Sequence, residues 1–155
     1  MVENIIVQTI KKIVKKDVCT SMCGSIIGSG TTSCKLDKKY GGVYGIAVRL
    51  SPSDVSAFAT KNNLNHKNIK SLSDWKSLGD DFYPLYWGKD SRLGSRIYAH
   101  LGKYRGTGAA NLCKHKELLG KEVIFGICIC NDYEKGEKDL HRAFPALYTK
   151  SSVGA

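Results

Sequence analysis

Apolar and polar residues follow one another in blocks along the chain, and the spacing within each block predicts a secondary-structure element. Apolar residues that recur every three to four positions indicate an amphipathic helix, whereas a short continuous apolar run is typical of a buried strand. On this basis the chain contains a helix, two strands, two helices, a strand and a final helix. Their predicted ranges are 4–16, 43–50, 82–88, 91–103, 111–119, 123–130 and 137–147.

The first helix is amphipathic and is followed by a segment with no clear period. Ile6, Ile10 and Ile13 share one face of this helix, and lysines crowd the other. We interpret it as a surface helix packed by its apolar stripe; phosphate contact and a dimer interface are the alternatives. Residues 19–40 are rich in glycine, serine and threonine, which indicates a loop or a short irregular strand.

The order of the elements predicts an α+β fold, with a small mixed or antiparallel sheet of about three strands flanked by helices. The length of 155 residues suits a single domain spanning residues 1–155. Within it, we expect residues 1–40 to form an N-terminal extension and residues 51–81 to form an insertion between the first two core strands. The insertion opens with Ser51-Pro52-Ser53-Asp54, which is a helix-start signal.

The charge balance indicates an anionic partner. The chain has 24 lysine and arginine residues against 14 aspartate and glutamate residues, a formal net charge of +10. A small domain with this excess attracts polyanions, of which nucleic acid is the commonest, although an anionic membrane surface or solubility alone are alternatives. No segment approaches the roughly 20 apolar residues of a membrane-spanning helix, so we expect no membrane insertion.

The cysteines are best explained as reduced thiols. The N-terminus lacks the apolar core and small-residue cleavage site of a secretory signal, so a cytoplasmic location is expected for this chain with its six cysteines. Cys19, Cys23 and Cys34 contain no CxxC pair, which disfavours a zinc site. Cys128 and Cys130 share one face of a predicted strand and are interpreted as small core residues.

Two short phrases and the residues after them carry the candidate chemistry. Gly42-Val43-Tyr44 and Tyr86-Trp87-Gly88 lie on predicted strands, and Arg96 and His100 lie four residues apart on the next predicted helix. Tyrosine hydroxyls with a guanidinium suit attack on a phosphodiester, because the planar fork of arginine matches phosphate oxygens. The alternatives are aromatic packing for the two tyrosines and a solvated basic face for the helix.

A carboxylate completes the set. Glu137 shares the packing face of its predicted helix with Leu140 and Phe144. An acid on such a face is uncommon unless it is paired or holds a metal ion. Glu134 is a possible substitute, but it precedes the predicted start of the helix.

In their order and spacing, these residues resemble the signature of the GIY-YIG nuclease superfamily. The phrases that contain Tyr44 and Tyr86 are similar to its two signature phrases. Arg96 lies eight residues after Gly88, and His100 lies four residues further, as in the family.

The downstream half of the signature is matched as well. Glu137 is similar to the family's metal-binding glutamate, with a leucine three residues on and an aromatic residue seven residues on. The proline that follows is one place early. Lys89, directly after the second phrase, resembles the Type II restriction-endonuclease branch.

The resemblance implies a DNA endonuclease that uses a single Mg²⁺ or Mn²⁺ ion held by Glu137. It implies that Tyr44 activates or orients the attacking water, with its pKa lowered by Lys89 or the metal, and that Tyr86 binds phosphate or water. Arg96 is assigned to the non-bridging oxygens, and His100 to phosphate contact, a second base or support. The implied catalytic residues are Tyr44, Tyr86, Lys89, Arg96, His100 and Glu137.

The chain departs from the family pattern in two places. First, 41 residues separate Tyr44 from Tyr86, an insertion of the kind that restriction-type members carry. Second, the family often has an asparagine beyond the last proline, where this chain has Ala146-Leu147-Tyr148-Thr149-Lys150. The missing asparagine favours a non-catalytic nucleic-acid-binding protein as the alternative, and a structure-selective repair nuclease or nuclease toxin is a third.

Recognition of duplex DNA is expected from basic residues outside the catalytic set. The candidate contacts to phosphates and bases are Lys67, Lys70, Lys103 and Arg105. Because one active site cuts one strand, cleavage of both strands implies a homodimer or two successive events.

Overall fold

The fold is α+β. A computed structural model describes residues 3–14, 18–27, 31–32, 41–61, 74–90 and 120–147. The strands are β1 (Val18–Ile27), β2 (Thr31–Thr32), β3 (Gly42–Arg49), β4 (Phe82–Asp90) and β5 (Val123–Cys130), and the helices are α1 (Ile5–Ile13), α2 (Pro52–Lys61) and α3 (Tyr133–Ala143). None of these helices has the length and apolar character needed to cross a membrane.

The strands form one antiparallel sheet in the order β2-β1-β5-β3-β4. Four strands are long and β2 contributes two residues, so the expected count of about three strands is wrong. The addition is β1, which lies where the sequence indicates a loop or a short irregular strand. Its polar and small residues carry little strand signal, and its backbone pairs with β5 about a hundred positions away, which no local pattern reveals.

The predicted strands and N-terminal helix are otherwise confirmed, whereas the last helix begins earlier than expected. It starts at Tyr133 rather than Glu137 and includes Gly136, although glycine is a poor helix former. A side chain at Gly136 would press on Val14 and Val43, with contacts of 3.1 and 3.2 Å. Close packing on the sheet therefore explains a glycine inside this helix. The helices predicted at 91–103 and 111–119 lie outside the described residues.

Helices cover both faces of the sheet, which explains why β3 and β5 are apolar almost throughout. On one face, called here the α1 face, α1 and α3 pack against side chains from β1, β3, β4 and β5. On the opposite α2 face, Val55 of α2 and Trp75 pack against the alternate side chains. The α1 face includes Val43, Ala47, Trp87, Ile124 and Cys128, and the α2 face includes Tyr44, Ile46, Val48, Tyr86, Phe125 and Ile127.

Asn4 begins α1 and also attaches it to the sheet. Its side-chain oxygen accepts hydrogen bonds from the backbone N–H groups of Ile6 and Val7, at 3.1 and 3.2 Å. Its amide nitrogen donates to the Phe125 carbonyl of β5, at 2.8 Å. One side chain thus satisfies two helix N–H groups that otherwise lack a partner and fixes where the helix meets the sheet.

The prediction that Cys128 and Cys130 are core residues is confirmed. Cys23, Cys128 and Cys130 are buried in the α1 face and form no disulfide. Burial raises the pKa of Cys128 to about 12, because the thiolate would lose its hydration there. All three are core residues, and Cys128 is a poor nucleophile at neutral pH.

Candidate active site

Tyr44 and Tyr86 lie next to each other on the α2 face of adjoining strands. Their ring centroids are 6.0 Å apart and their planes are inclined by 27°, a stacked arrangement. Tyr44 is 1% exposed and Tyr86 is 6% exposed, so both rings belong to the core. Chemistry at either hydroxyl therefore requires access from the end of the ring rather than over its face.

Gly88 gives the Tyr44 ring its path across β4. The two residues are direct partners in the β3–β4 ladder. A Cβ atom on Gly88 would overlap the Tyr44 hydroxyl and would lie 2.7 Å from Cε1 of the ring. Among the described strands β4 is the outermost on this side, and the Tyr44 ring, which comes from β3, reaches β4 with its hydroxyl over Gly88.

Helix α3 is attached to that same edge by polar contacts. His141 Nε2 lies 3.1 Å from the Trp87 carbonyl oxygen, and the Trp87 indole N–H donates to the Phe144 carbonyl at 2.7 Å. At the start of the helix, Lys89 Nζ lies 3.4 Å from a Glu134 carboxylate oxygen. The helix is thus held to β4 on both sides of Gly88.

Glu137 lies between these contacts. It follows Glu134 by three residues and precedes His141 by four, so the three side chains occupy one ridge of α3. Since Glu134 contacts Lys89 and His141 contacts Trp87, Glu137 belongs to the ridge of α3 that runs along β4. Its side chain is half-buried. We call Tyr44, Gly88, Lys89, Glu137 and His141 the β4-edge site.

One sequence-based expectation about this helix needs correction. Glu134 does not precede the helix but lies in its first turn, where it pairs with Lys89. The ladder partner of Lys89 is Val43, on the face opposite to Tyr44, and the Lys89 ammonium contacts Glu134. That Lys89 or the metal lowers the Tyr44 pKa stays a prediction.

His141 is the residue of the β4-edge site that was not predicted from the sequence. The Trp87 carbonyl can only accept, so the proton of the neutral ring lies on Nε2. The other nitrogen, Nδ1, is buried and has no hydrogen-bond partner in the described structure. Burial lowers the pKa of His141, partly offset by the Trp87 carbonyl, so the ring is neutral at pH 7. Its spacing of four residues from Glu137 is the signal that could have revealed it.

The remaining predicted site residues are Arg96, His100, Lys67, Lys70, Lys103 and Arg105, and all six lie outside the described residues. Within the described ranges, no three His, Cys, Asp or Glu side chains are close enough to hold an ion between them. A protein site for Mg²⁺ needs only one or two carboxylates when the ion keeps several waters and binds a substrate phosphate. Glu137, a half-buried oxygen donor on the helix that contacts β4, fits such an ion.

In the β4-edge site, the Tyr44 ring packs against Gly88, and α3 is held to the residues on either side of Gly88 by His141 and Glu134. Comparison with protein-family models, curated proteins and solved structures finds no match to this chain. Function is therefore inferred from the geometry and charge of this site.

Proposed function

We propose that this protein is a Mg²⁺-dependent DNA endonuclease of the GIY-YIG type, similar to restriction enzymes. The observation that supports the proposal is that Tyr44 and α3 both contact neighbouring residues of β4. The Tyr44 ring packs against Gly88 on the α2 face of the sheet, and α3, which carries Glu137, contacts Trp87 and Lys89. Phosphodiester hydrolysis needs an activated water and a charge-stabilising site within a few ångströms of each other.

The proposed role of each residue follows from the chemistry of its side chain. Glu137 provides the carboxylate that would hold the ion, which when bound stabilises the anionic transition state and acidifies its water. Tyr44 orients the attacking water through its hydroxyl. Tyr86 stacks against Tyr44 and limits the positions that this ring can adopt. Arg96 and His100 are assigned to phosphate by the resemblance alone.

The net charge of +10 supports DNA as the substrate, because it favours association with a polyanion before any chemistry. Lys67, Lys70, Lys103 and Arg105 are the proposed contacts to the duplex. A single β4-edge site would cut one strand, so cleavage of both strands would use a homodimer or two events.

A non-catalytic DNA-binding protein is the second candidate, and the burial of the tyrosines favours it. Tyr44 is 1% exposed, so its hydroxyl meets a substrate only where the β4 edge admits one. This candidate keeps the DNA affinity and the sheet but predicts no strand cleavage with any divalent ion.

Nicking of a supercoiled plasmid decides between the two candidates. With Mg²⁺, the wild-type chain should convert supercoiled DNA to the open circular form. Glu137→Gln should lower the rate by about a hundredfold or more, the loss typical of one positioned catalytic group. Glu122→Gln is the matched control, because Glu122 is an acid engaged by Arg49 at another part of the sheet. Binding without nicking would support the second candidate.

A further inference from the structure

The buried Nδ1 atom of His141 lacks the partner that such an atom almost always has. Most buried polar side-chain atoms in proteins are hydrogen-bonded, and an exception indicates an unaccounted ion, water or functional role. His141 Nδ1 is buried and makes no hydrogen bond in the described part of the chain. Its ring is otherwise held firmly, since Nε2 contacts the Trp87 carbonyl at 3.1 Å.

The bond to Trp87 leaves Nδ1 in the state required of a metal ligand. A histidine ligand usually donates its other ring N–H to a carbonyl or carboxylate, which fixes the tautomer and the orientation of the ring. Here the Trp87 carbonyl accepts from Nε2, so Nδ1 holds a free lone pair.

The spacing on α3 places the His141 ring one turn from an oxygen donor. Glu137 and His141 are four residues apart on one helix. Side chains of helices lean toward the N-terminus, so the His141 ring lies over the turn that carries Glu137. Two residues four apart on one helix face are a known arrangement for two ligands of one ion.

We propose that Glu137 and His141 together bind one divalent transition-metal ion, and that the protein therefore binds Mn²⁺ more tightly than Mg²⁺. Carboxylate and water suit both ions, but an imidazole nitrogen favours the transition metal. The inference rests on the proposed function, because this ion would occupy the position assigned there to Glu137. It adds a ligand, His141, and a metal preference.

Electron paramagnetic resonance of Mn²⁺ bound to the full chain tests this inference directly. Electron spin-echo envelope modulation spectra of the wild-type protein with Mn²⁺ should show a ¹⁴N coupling from a directly bound imidazole. His141→Gln keeps an N–H donor for the Trp87 carbonyl but removes the ring nitrogen. It should abolish the coupling and weaken Mn²⁺ binding by about tenfold or more, while Mg²⁺ binding changes little.

Two further variants identify the residues that provide the nitrogen ligand and the oxygen ligand of the ion. His100→Gln tests the other histidine of the predicted catalytic set, and the ¹⁴N coupling should persist in it. Glu137→Gln should weaken both Mn²⁺ and Mg²⁺ binding. Circular dichroism checks that each variant is folded, and a wild-type spectrum without the coupling overturns the inference even where a variant is not folded.

Three results would overturn the inference: no ¹⁴N coupling in the wild type, a coupling that survives His141→Gln, or equal affinities for Mn²⁺ and Mg²⁺. An unchanged Mn²⁺ affinity in a folded His141→Gln variant would mean that Nδ1 meets a water instead. Plasmid nicking with Mg²⁺ is read separately. Nicking without the coupling refutes only this inference, and the coupling without nicking refutes only the nuclease.

Discussion

Gly88 illustrates how the absence of one side chain allows two neighbours to approach the same place. It is the ladder partner of Tyr44, and the Tyr44 ring occupies the space where a Cβ atom would lie. The second phrase, Tyr86-Trp87-Gly88, therefore ends on glycine for a steric reason that is independent of any resemblance.

Gly88→Ala should destabilise the protein by about 1–3 kcal/mol, the usual cost of overpacking a core. The added methyl group overlaps the Tyr44 hydroxyl and must displace the ring or the strand. Urea denaturation measures the free energy of unfolding. In a Tyr44→Ala background the ring is absent, so the same Gly88→Ala change should cost much less. Equal costs in both backgrounds would refute the steric account.

The buried thiols yield a prediction about reactivity. The pKa of Cys128 is raised to about 12 by burial, so almost no thiolate forms at pH 8 in the folded protein. Iodoacetamide at pH 8 should leave Cys128 unmodified until urea unfolds the chain, as measured by peptide mass spectrometry. Because this pKa is raised on folding, the protonated Cys128 thiol contributes its full share to the free energy of unfolding below about pH 9. This contribution is lost as the pH rises toward 12. Rapid labelling of folded Cys128 would contradict its burial.

Among the helices and strands, those with a clear local hydrophobic pattern are predicted from the sequence. A strand that depends on pairing with a distant part of the chain is missed. β3, β4 and β5 are apolar runs, and α1 has a clear stripe, so all four are predicted close to their observed bounds. β1 depends on hydrogen bonds to β5 and has no strong pattern of its own. The start of α3 is hidden by Gly136, which is selected by packing rather than by helix propensity.

Two variants of Asn4 separate the helix cap from the hydrogen bond that attaches α1 to the sheet. Asn4→Ser keeps an oxygen that can cap the helix but loses the amide donor to the Phe125 carbonyl, whereas Asn4→Ala loses both. We expect Asn4→Ala to lower the free energy of unfolding by about 1–2 kcal/mol, and Asn4→Ser to lower it by less. Thermal and urea unfolding provide the comparison. Equal losses would mean that the cap contributes nothing.

For the whole molecule, the sheet explains why residues far apart in the sequence meet at one edge. β3 lies between β5 and β4 in the sheet. Helix α3 follows β5 in the chain and is held to β4 by contacts with Trp87 and Lys89. The sequence allows Tyr44 and Glu137 each to be chosen as a candidate site residue. It could not show that Lys89 is engaged by Glu134 or that His141 reaches the Trp87 carbonyl, because both contacts depend on how α3 is placed against the sheet.

The central claim is that Tyr44 and Glu137 act together on one phosphodiester, and single-turnover plasmid nicking of a double variant tests it most directly. Residues that act as a unit give strongly non-additive losses, because removing either one already disables the step. With Mg²⁺, Tyr44→Phe and Glu137→Gln should each lower the rate by about a hundredfold or more, and the double variant should be scarcely slower than either single variant. Losses that multiply in the double variant, or full activity in either single variant, would contradict the account.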